Sequence, residues 1–315
     1  MEQLTWGILL VVYLFLGGMA GGAYIIGALA DIFGKGKCKV LSKSGVYVSL
    51  VSIILGLVVL ILDLGRFEVD PLSPLNAYIN FPTSIMSVGT WIITGFTAVS
   101  MVTAVIWFFE GNSLVRKLVE IVGIVLGLST TAYTGLLLAF ARGRPFWTSP
   151  YIPLTFVISG TLTGLAIALL LIPIIAIFAP RFFKEFKELF DNREEYAGML
   201  GDSQRYIVSL IIVELFLVVL ELGTSHADIS LLTSGSLSML FFAYVILGLI
   251  VPLGIAYYIT KLESARASAS QKFLPNTLKQ ISVSMILFSL SGFVLVLIGG
   301  FLLRYVILIA GQIII

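Results

Sequence analysis

Cysteine occurs once in this chain, as Cys38, and histidine once, as His226. One thiol makes no internal disulfide, no four-cysteine zinc site and no iron-sulfur cluster held by this chain alone. One imidazole cannot grip a haem from both faces. The sequence therefore carries no obvious metal or haem centre of its own. Charge is scarce too: Asp, Glu, Lys and Arg make up 11% of the residues, against about a quarter in a globular domain. The 19 basic and 17 acidic side chains are spread among short segments, which excludes the clustered basic face of a nucleic-acid binder. What fills the chain instead is apolar, 59% of its 315 residues at a mean hydropathy of +1.08. That is the composition of an integral membrane protein.

About 20 mostly apolar residues cross a bilayer as a helix, and eight runs qualify: 4–30, 44–65, 84–109, 117–141, 154–179, 206–223, 237–260 and 280–303. Lipid offers the backbone no hydrogen-bond partner, so the spans are helices, and the absence of two-residue alternation excludes a barrel. The expected fold is thus an all-α integral membrane protein with eight transmembrane helices. The first run exceeds the roughly 7–15 residues of a signal-peptide core and is read as a retained span. Of the 19 basic residues, fifteen fall on one side, among them Lys39, Lys43, Arg116, Lys117, Arg181 and Lys187. Arg66, Arg142, Arg144 and Arg304 fall on the other. The excess of Lys and Arg marks the cytoplasm, which puts both termini outside.

The longest cytoplasmic stretch, 180–205, opens PRFFKEFKELF. Phe182, Phe183, Phe186, Leu189 and Phe190 follow helical spacing while Lys184, Glu185, Lys187 and Glu188 take the other face. Such a pattern suits a helix lying among lipid headgroups and equally an amphipathic linker with no further role.

An internal duplication is also legible. LILDLGRFEVDPLS at 60–73 aligns with VVLELGTSHADISL at 218–231, matching Asp63 to Glu221, Gly65 to Gly223 and Asp70 to Asp228. The small-xxx-small pair Gly18 and Gly22 of the first span has a counterpart in Gly160 and Gly164 of the fifth, and such pairs let helices approach closely. The expectation is two four-helix bundles, 1–153 and 154–315, related as a parallel repeat.

Polar and aromatic residues at membrane depth concentrate toward the outer side of the first bundle. Asp63 and Arg66 stand one helical turn apart where the second span leaves the lipid, an expensive position unless they are paired or face a wet cavity. Around them fall Trp6 and Tyr13 on the first span, Ser84, Ser87 and Thr90 on the third, and Thr130, Thr131 and Tyr133 on the fourth. Arg142, Arg144 and Trp147 follow in the next loop. Trp6, Trp91 and Trp147 also suit an interfacial belt. Tyr133 lies roughly 13 Å inside Arg142 at 1.5 Å per residue, and a phenol at that depth needs a partner.

Quinone chemistry asks for hydrogen bonds to two carbonyl oxygens, a proton relay and an apolar slot for the tail. Tyr133 supplies a hydrogen bond and Asp63 a relay with Arg66 holding its charge. Gly17, Gly18, Gly21 and Gly22 would open the slot. The same residues also read as a tyrosine bonded to a neighbouring helix and an acid–base pair closing a helix end. In the second half Glu214 and Glu221, seven residues apart, share a helix face. With Glu120 near the inner end of the fourth span they sketch a proton path, or else are acids bonded to neighbouring hydroxyls. His226 reads as a loop residue.

DLGR ending the second span, SIMSVGTW opening the third, TAYTGLLLA in the fourth and GGFLLRYVILIAGQ at the C-terminus resemble the NrfD and polysulfide reductase membrane-subunit family, in order and over nearly the whole chain. The resemblance implies a plasma-membrane subunit of an oxidoreductase that binds a quinone, menaquinone or related, near the outer face. It implies electron exchange with an extracytoplasmic ferredoxin-like iron-sulfur subunit that serves a molybdopterin catalytic subunit. A quinone site built from Tyr13, Gly17, Gly21, Asp63, Arg66, Ser87, Thr130 and Tyr133 goes with it, Asp63 and Tyr133 carrying the chemistry. The chain departs from the family pattern at Phe67 and Ile85, where proline is usual, and its first span lacks the histidine of some members. A secondary transporter or an ion or proton channel built on a parallel repeat, where intramembrane carboxylates also occur, and a passive anchor for a soluble partner are the rival readings.

Overall fold

A computed structural model describes residues 6–34, 36, 38–63, 73–141, 145–224, 232–271 and 275–313. Its elements are α1 (Ile8–Phe33), α2 (Lys39–Asp63), α3 (Ile85–Phe108), α4 (Ser113–Ala139), α5 (Tyr151–Phe178), α6 (Lys184–Asp191) and α7 (Arg193–Thr224). There follow α8 (Ser238–Ala243), a π-helical stretch Tyr244–Ile250, α9 (Val251–Gln271) and α10 (Pro275–Ile313). Short 3₁₀ turns at Ser73–Tyr78 and Pro145–Thr148 precede α3 and α5. Among the described residues eight helical stretches are long and apolar enough to cross a membrane, α8, the π stretch and α9 together counting as one.

Local chemistry accounts for several of these boundaries. Asn112 caps α4 by accepting a 2.8 Å hydrogen bond from the Leu114 amide, which satisfies one of the orphan donors of the first turn. The π stretch stands just before Pro252. A proline inside a helix lacks its own N–H and crowds the carbonyl four residues back, here that of Gly248, and a widened turn absorbs the conflict.

Three spans outrun the hydropathy expectation, the seventh, expected at 237–260, continuing to Gln271. The sixth, expected at 206–223, begins at Arg193, because Glu194, Glu195, Asp202 and Arg205 extend the helix beyond the apolar run without breaking it. The eighth, expected at 280–303, continues to Ile313 and carries Arg304 in its interior. Arg304 therefore does not mark the end of a span; it is fully buried.

α1 and α5 lie in the middle. α1 packs on α2, α4, α5 and α10, while α5 reaches α1, α2, α4, α7 and α10. Their crossing rests on the glycines matched in sequence: a Cβ on Gly22 would stand 2.0 Å from the Gly160 carbonyl oxygen, and one on Gly164 2.2 Å from the Ala23 nitrogen. The chain's two ends meet at one side of the helices, where the Trp6 amide donates to Gln312 Oε1 at 3.0 Å and Gln312 Nε2 returns a bond to the Trp6 carbonyl at 3.1 Å. That side also holds the end of α2 and is called the Asp63 end below, the opposite one the Lys43 end.

α6 is amphipathic, as its pattern says, but its aromatic face is turned onto protein. Phe186 is fully buried, Phe183 leans on Tyr47 with ring centroids 5.3 Å apart, and Phe190 meets Tyr196 edge-on at 5.8 Å. Lys43 of α2 pairs with Glu185. Only Phe182, just before the helix, is left largely exposed.

Candidate functional site

Two groups of buried polar side chains occupy the membrane-embedded part toward the Asp63 end. In the α1–α4 half, Tyr13 and Tyr133 are nearly inaccessible and close enough to one another to interact electrostatically. Glycine makes that possible. A Cβ on Gly89 of α3 would stand 1.8 Å from the Tyr133 Cζ, so the phenol lies flat against bare backbone, and Gly56 of α2 lies 3.8 Å from the Tyr13 ring. Among the described residues neither phenol has a side-chain hydrogen-bond partner. Ser87, two residues from Gly89, is buried with its hydroxyl unpartnered. A buried donor without an acceptor costs about 1–3 kcal/mol, and the Ser87 hydroxyl carries that cost.

The other expected members of this group are placed as follows. Asp63 is the last residue of α2 and half-buried, while Arg66 lies outside the described residues, as do Arg142, Arg144 and His226. Thr130 is buried but spends its hydroxyl on its own helix, donating to the Leu126 carbonyl at 2.8 Å. The α1 glycines do not open a slot. Gly17 faces Thr134, Gly18 faces the Arg304 guanidinium, and a Cβ on Gly21 would meet Thr131 Oγ1 at 2.2 Å and the Gly127 carbonyl at 2.4 Å. They close helix crossings, which is what small residues do between membrane helices.

The second group was not foreseen as a unit. Arg304 of α10 is the largest fully buried side chain. Its Nε donates to the Leu14 carbonyl at 3.1 Å, and its Nη1 to the Gly300 carbonyl at 2.7 Å and Ser159 Oγ at 3.4 Å. The rings of Phe156 and Phe15 lie 5.2 and 5.7 Å from its Cζ. Glu214 of α7, also buried, accepts from Tyr244 Oη at 2.9 Å and lies within electrostatic range of Arg304 and hydrogen-bond reach of Ser159. Tyr244 opens the π stretch, a turn type frequent at functional positions. The signal for this cluster was present, since a charge in GGFLLRYVILIAGQ interrupts an apolar run that continues on both sides; reading the charge as a span end hid it.

Nearer the Asp63 end, Glu221 accepts from Ser149 Oγ at 2.5 Å. A cavity of about 30 Å³, room for a water or two, separates it from Tyr244 and is lined also by Thr155, Phe241, Leu303 and Ile307. Trp147, which suited a lipid-facing belt, is buried: it stacks on Trp6 at 5.0 Å and its Nε1 donates to the Ile307 carbonyl at 2.8 Å. Trp91 stays half-exposed beside Tyr78 and Phe81, as a belt residue does.

Glu120 lies apart, at the Lys43 end of α4. Its Oε1 accepts from Trp107 Nε1 at 3.0 Å, and its neighbour Arg116 holds Asp31 by a two-pronged bond of 2.8 and 3.0 Å. It shares no partner with Glu214. Among the described residues no group of three or more His, Cys, Asp and Glu could hold a metal ion.

Comparison with known proteins agrees along the whole length. A family model described as "Polysulphide reductase, NrfD" matches residues 1–315. The protein is 28% identical to a polysulfide reductase subunit of Wolinella succinogenes over 99% of its own length and 95% of that subunit's. It is 27% identical to the NrfD homolog of Haemophilus influenzae over 98% and 95% of the two proteins. The match to protein NrfD of Escherichia coli, at 28%, spans 54% of this chain and 60% of that protein. A 24% match, over 53% of this chain and 42% of the relative, reaches the Hdr-like menaquinol oxidoreductase integral membrane subunit of Archaeoglobus fulgidus.

Proposed function

From the premise that the chain belongs to the polysulphide reductase NrfD family, we propose that it is the quinone-reactive membrane subunit of a respiratory oxidoreductase complex. Its electrons pass to or from a ferredoxin-like iron-sulfur subunit docked at the Asp63 end, which serves a molybdopterin catalytic subunit. The relative named as a menaquinol oxidoreductase subunit supports menaquinone or a close relative as the carrier. In this reading the Asp63 end faces outward in the plasma membrane with both termini, as the distribution of Lys and Arg suggests, and the α1–α4 and α5–α10 halves are two four-helix bundles of a parallel repeat.

The observation that carries the reading is the pair of buried phenols, Tyr13 and Tyr133, set close to one another against the bare backbone of Gly56 and Gly89. The residues fit the group: quinone carbonyls are acceptors, the two phenols and the Ser87 hydroxyl are donors, and the Ser87 hydroxyl has no partner among the described residues. Reduction of a bound quinone takes up two electrons and two protons. Tyr133 and Tyr13 orient the ring by hydrogen bonds, Ser87 offers a third donor, and Asp63 exchanges protons with water at the helix end. Glu214, bonded to Tyr244, and Glu221, across the small cavity from Tyr244, form a second proton-conducting element in the other half.

Tyr133→Phe removes one hydroxyl and keeps the ring that Gly89 accommodates. The expected result is an assembled complex whose quinol turnover falls about tenfold, the worth of one buried hydrogen bond. Asp63→Asn is expected to slow turnover as well, more strongly at high pH where the relay depends on ionisation. Wild-type quinol turnover in both variants would count decisively against the assignment.

A further inference from the structure

The junction of α5 and α6, at the Lys43 end, belongs to no part of the site just described. With 28 residues at about 1.5 Å each, α5 is about 42 Å long, close to the roughly 40–45 Å of a bilayer counted with its headgroups. Pro180 and Arg181, just past its end, therefore stand at the level of lipid phosphates. The chain turns there into α6, whose Phe186 is fully buried, and Phe183 just before it leans on Tyr47. With that face clamped to protein, the opposite face is held outward at a fixed height.

On that outward face lies a depression of about 580 Å³ lined by Pro180, Arg181, Lys184, Lys187, Glu188 and Asp191, within the roughly 300–1,000 Å³ of small-ligand sites. Lys184, Lys187, Glu188 and Asp191 recur at three- and four-residue spacing, so one side of α6 presents them all. Arg181, Lys184 and Lys187 are exposed, and among the described residues none of them is in an ion pair. Glu185, the acid between two of them, is drawn off by Lys43 of α2. Three cations then face two carboxylates, Glu188 and Asp191, a surplus of one positive charge. Apolar surface leads to the same place. Ile174, Ile177 and Phe178, all exposed, follow helical spacing on the last turns of α5, and Phe182 comes next in the turn; Phe178 is 83% and Phe182 76% exposed. Exposed apolar side chains in such a patch mark a surface that meets lipid or a partner.

We propose that this depression binds one anionic glycerophospholipid, its phosphate diester held by Arg181, Lys184 and Lys187 and its acyl chains laid along Ile174, Ile177 and Phe178 of α5. Two features select this occupant. A headgroup with a single negative charge cancels the surplus, whereas a zwitterionic one leaves it in place. A soluble anion would use the cations but set nothing against the exposed phenylalanines. Basic residues beside a membrane helix draw on the negative potential of an anionic leaflet, and a guanidinium grips phosphate with two parallel hydrogen bonds. The site does not depend on the quinone reading. A lipid held there ties the α5–α6 junction to the leaflet and, through Glu185 and Lys43, the start of α2 with it.

The test uses the full chain, delipidated in detergent, titrated with phosphatidylglycerol and read by native mass spectrometry and by melting temperature. One phosphatidylglycerol per chain is expected to stay bound and to raise the melting temperature; phosphatidylcholine is expected to do neither. The triple variant Arg181→Gln, Lys184→Gln, Lys187→Gln is expected to bind phosphatidylglycerol about a hundredfold more weakly, each cation beside an anionic surface being worth about fivefold. Lys184→Arg with Lys187→Arg keeps the charge and should bind as wild type does. Glu188→Gln with Asp191→Asn enlarges the surplus and should bind severalfold more tightly. Those two double variants separate loss of a charged site from loss of the fold. Equal retention of phosphatidylglycerol and phosphatidylcholine overturns the site. So does a triple variant that binds like wild type, a charge-keeping variant that loses the lipid, or a double acid variant that binds no better. Glycerol 3-phosphate that displaces phosphatidylglycerol at an equal concentration overturns the lipid assignment, because phosphate alone would then be what is recognised.

Discussion

Toward the Asp63 end, the α1–α4 half buries neutral hydroxyls with too few partners, whereas the α5–α10 half buries charges that answer one another. Tyr13, Tyr133 and Ser87 have donors to offer and nothing described to receive them. Arg304, Glu214, Tyr244 and Ser159 exchange bonds among themselves and with the Leu14 and Gly300 carbonyls. A polar group in lipid is tolerated when the protein or a ligand satisfies it. The first arrangement offers donors to a ligand; the second meets most of its own needs, Arg304 Nη2 and Glu214 Oε2 alone of its atoms being left without a partner among the described residues.

If that contrast is right, the largest loss of stability follows from disturbing the second half. Arg304→Leu strands Glu214 and the Leu14 carbonyl, and removing one partner of a buried charged pair costs about 3–5 kcal/mol. Thermal unfolding of the detergent-solubilised protein should show a marked drop, and Glu214→Leu added to Arg304→Leu should recover part of it, because the stranded charge is then gone. A single variant as stable as wild type would mean that this cluster, too, is an open site. Next in size is Tyr244→Phe, which takes the 2.9 Å bond from Glu214 and should cost about 1–2 kcal/mol. Tyr133→Phe should leave the melting temperature in place while turnover falls. The two tyrosines thus separate a group that holds the fold from one that serves a ligand.

Much of this architecture was readable in the sequence because lipid leaves few choices. Apolar runs of span length become helices, and α3 falls within one residue of the 84–109 run at each end. Charged residues were the weak point, for a helix in a membrane protein need not begin or end at a charge. α7 runs on through Asp202 and Arg205 into the polar region, and α10 carries Arg304 through the interior with backbone carbonyls as its partners. Tyr133 could be singled out by depth alone, but its apposition to Tyr13 depends on Gly56 and Gly89, whose role appears only when the helices are packed. The α1 glycines show the converse: bare backbone reads the same whether it makes room for a ligand or for another helix. Trp6 and Trp147 suit a lipid belt in sequence and become an internal stack once the 3₁₀ turn at Pro145–Thr148 folds under α10.

The smallest effects sharpen the comparison most, because they differ in sign. Ser87 and Ser159 are both buried serines inside membrane helices. Ser159 Oγ receives Arg304 and reaches Glu214, so Ser159→Ala should lower stability by about 1 kcal/mol, the net value of a typical buried hydrogen bond. Ser87 Oγ has no partner; without it the folded protein is relieved of an unmet donor, so Ser87→Ala should be neutral or stabilising by up to about 1 kcal/mol. If Ser87 is a donor to a quinone, the same variant should bind and turn over quinol severalfold less well. Higher melting temperature together with weaker turnover is the signature of a hydroxyl kept for a ligand; a Ser87→Ala protein that melts lower and turns over normally would move Ser87 into the class of Ser159 and leave the phenols to bind alone.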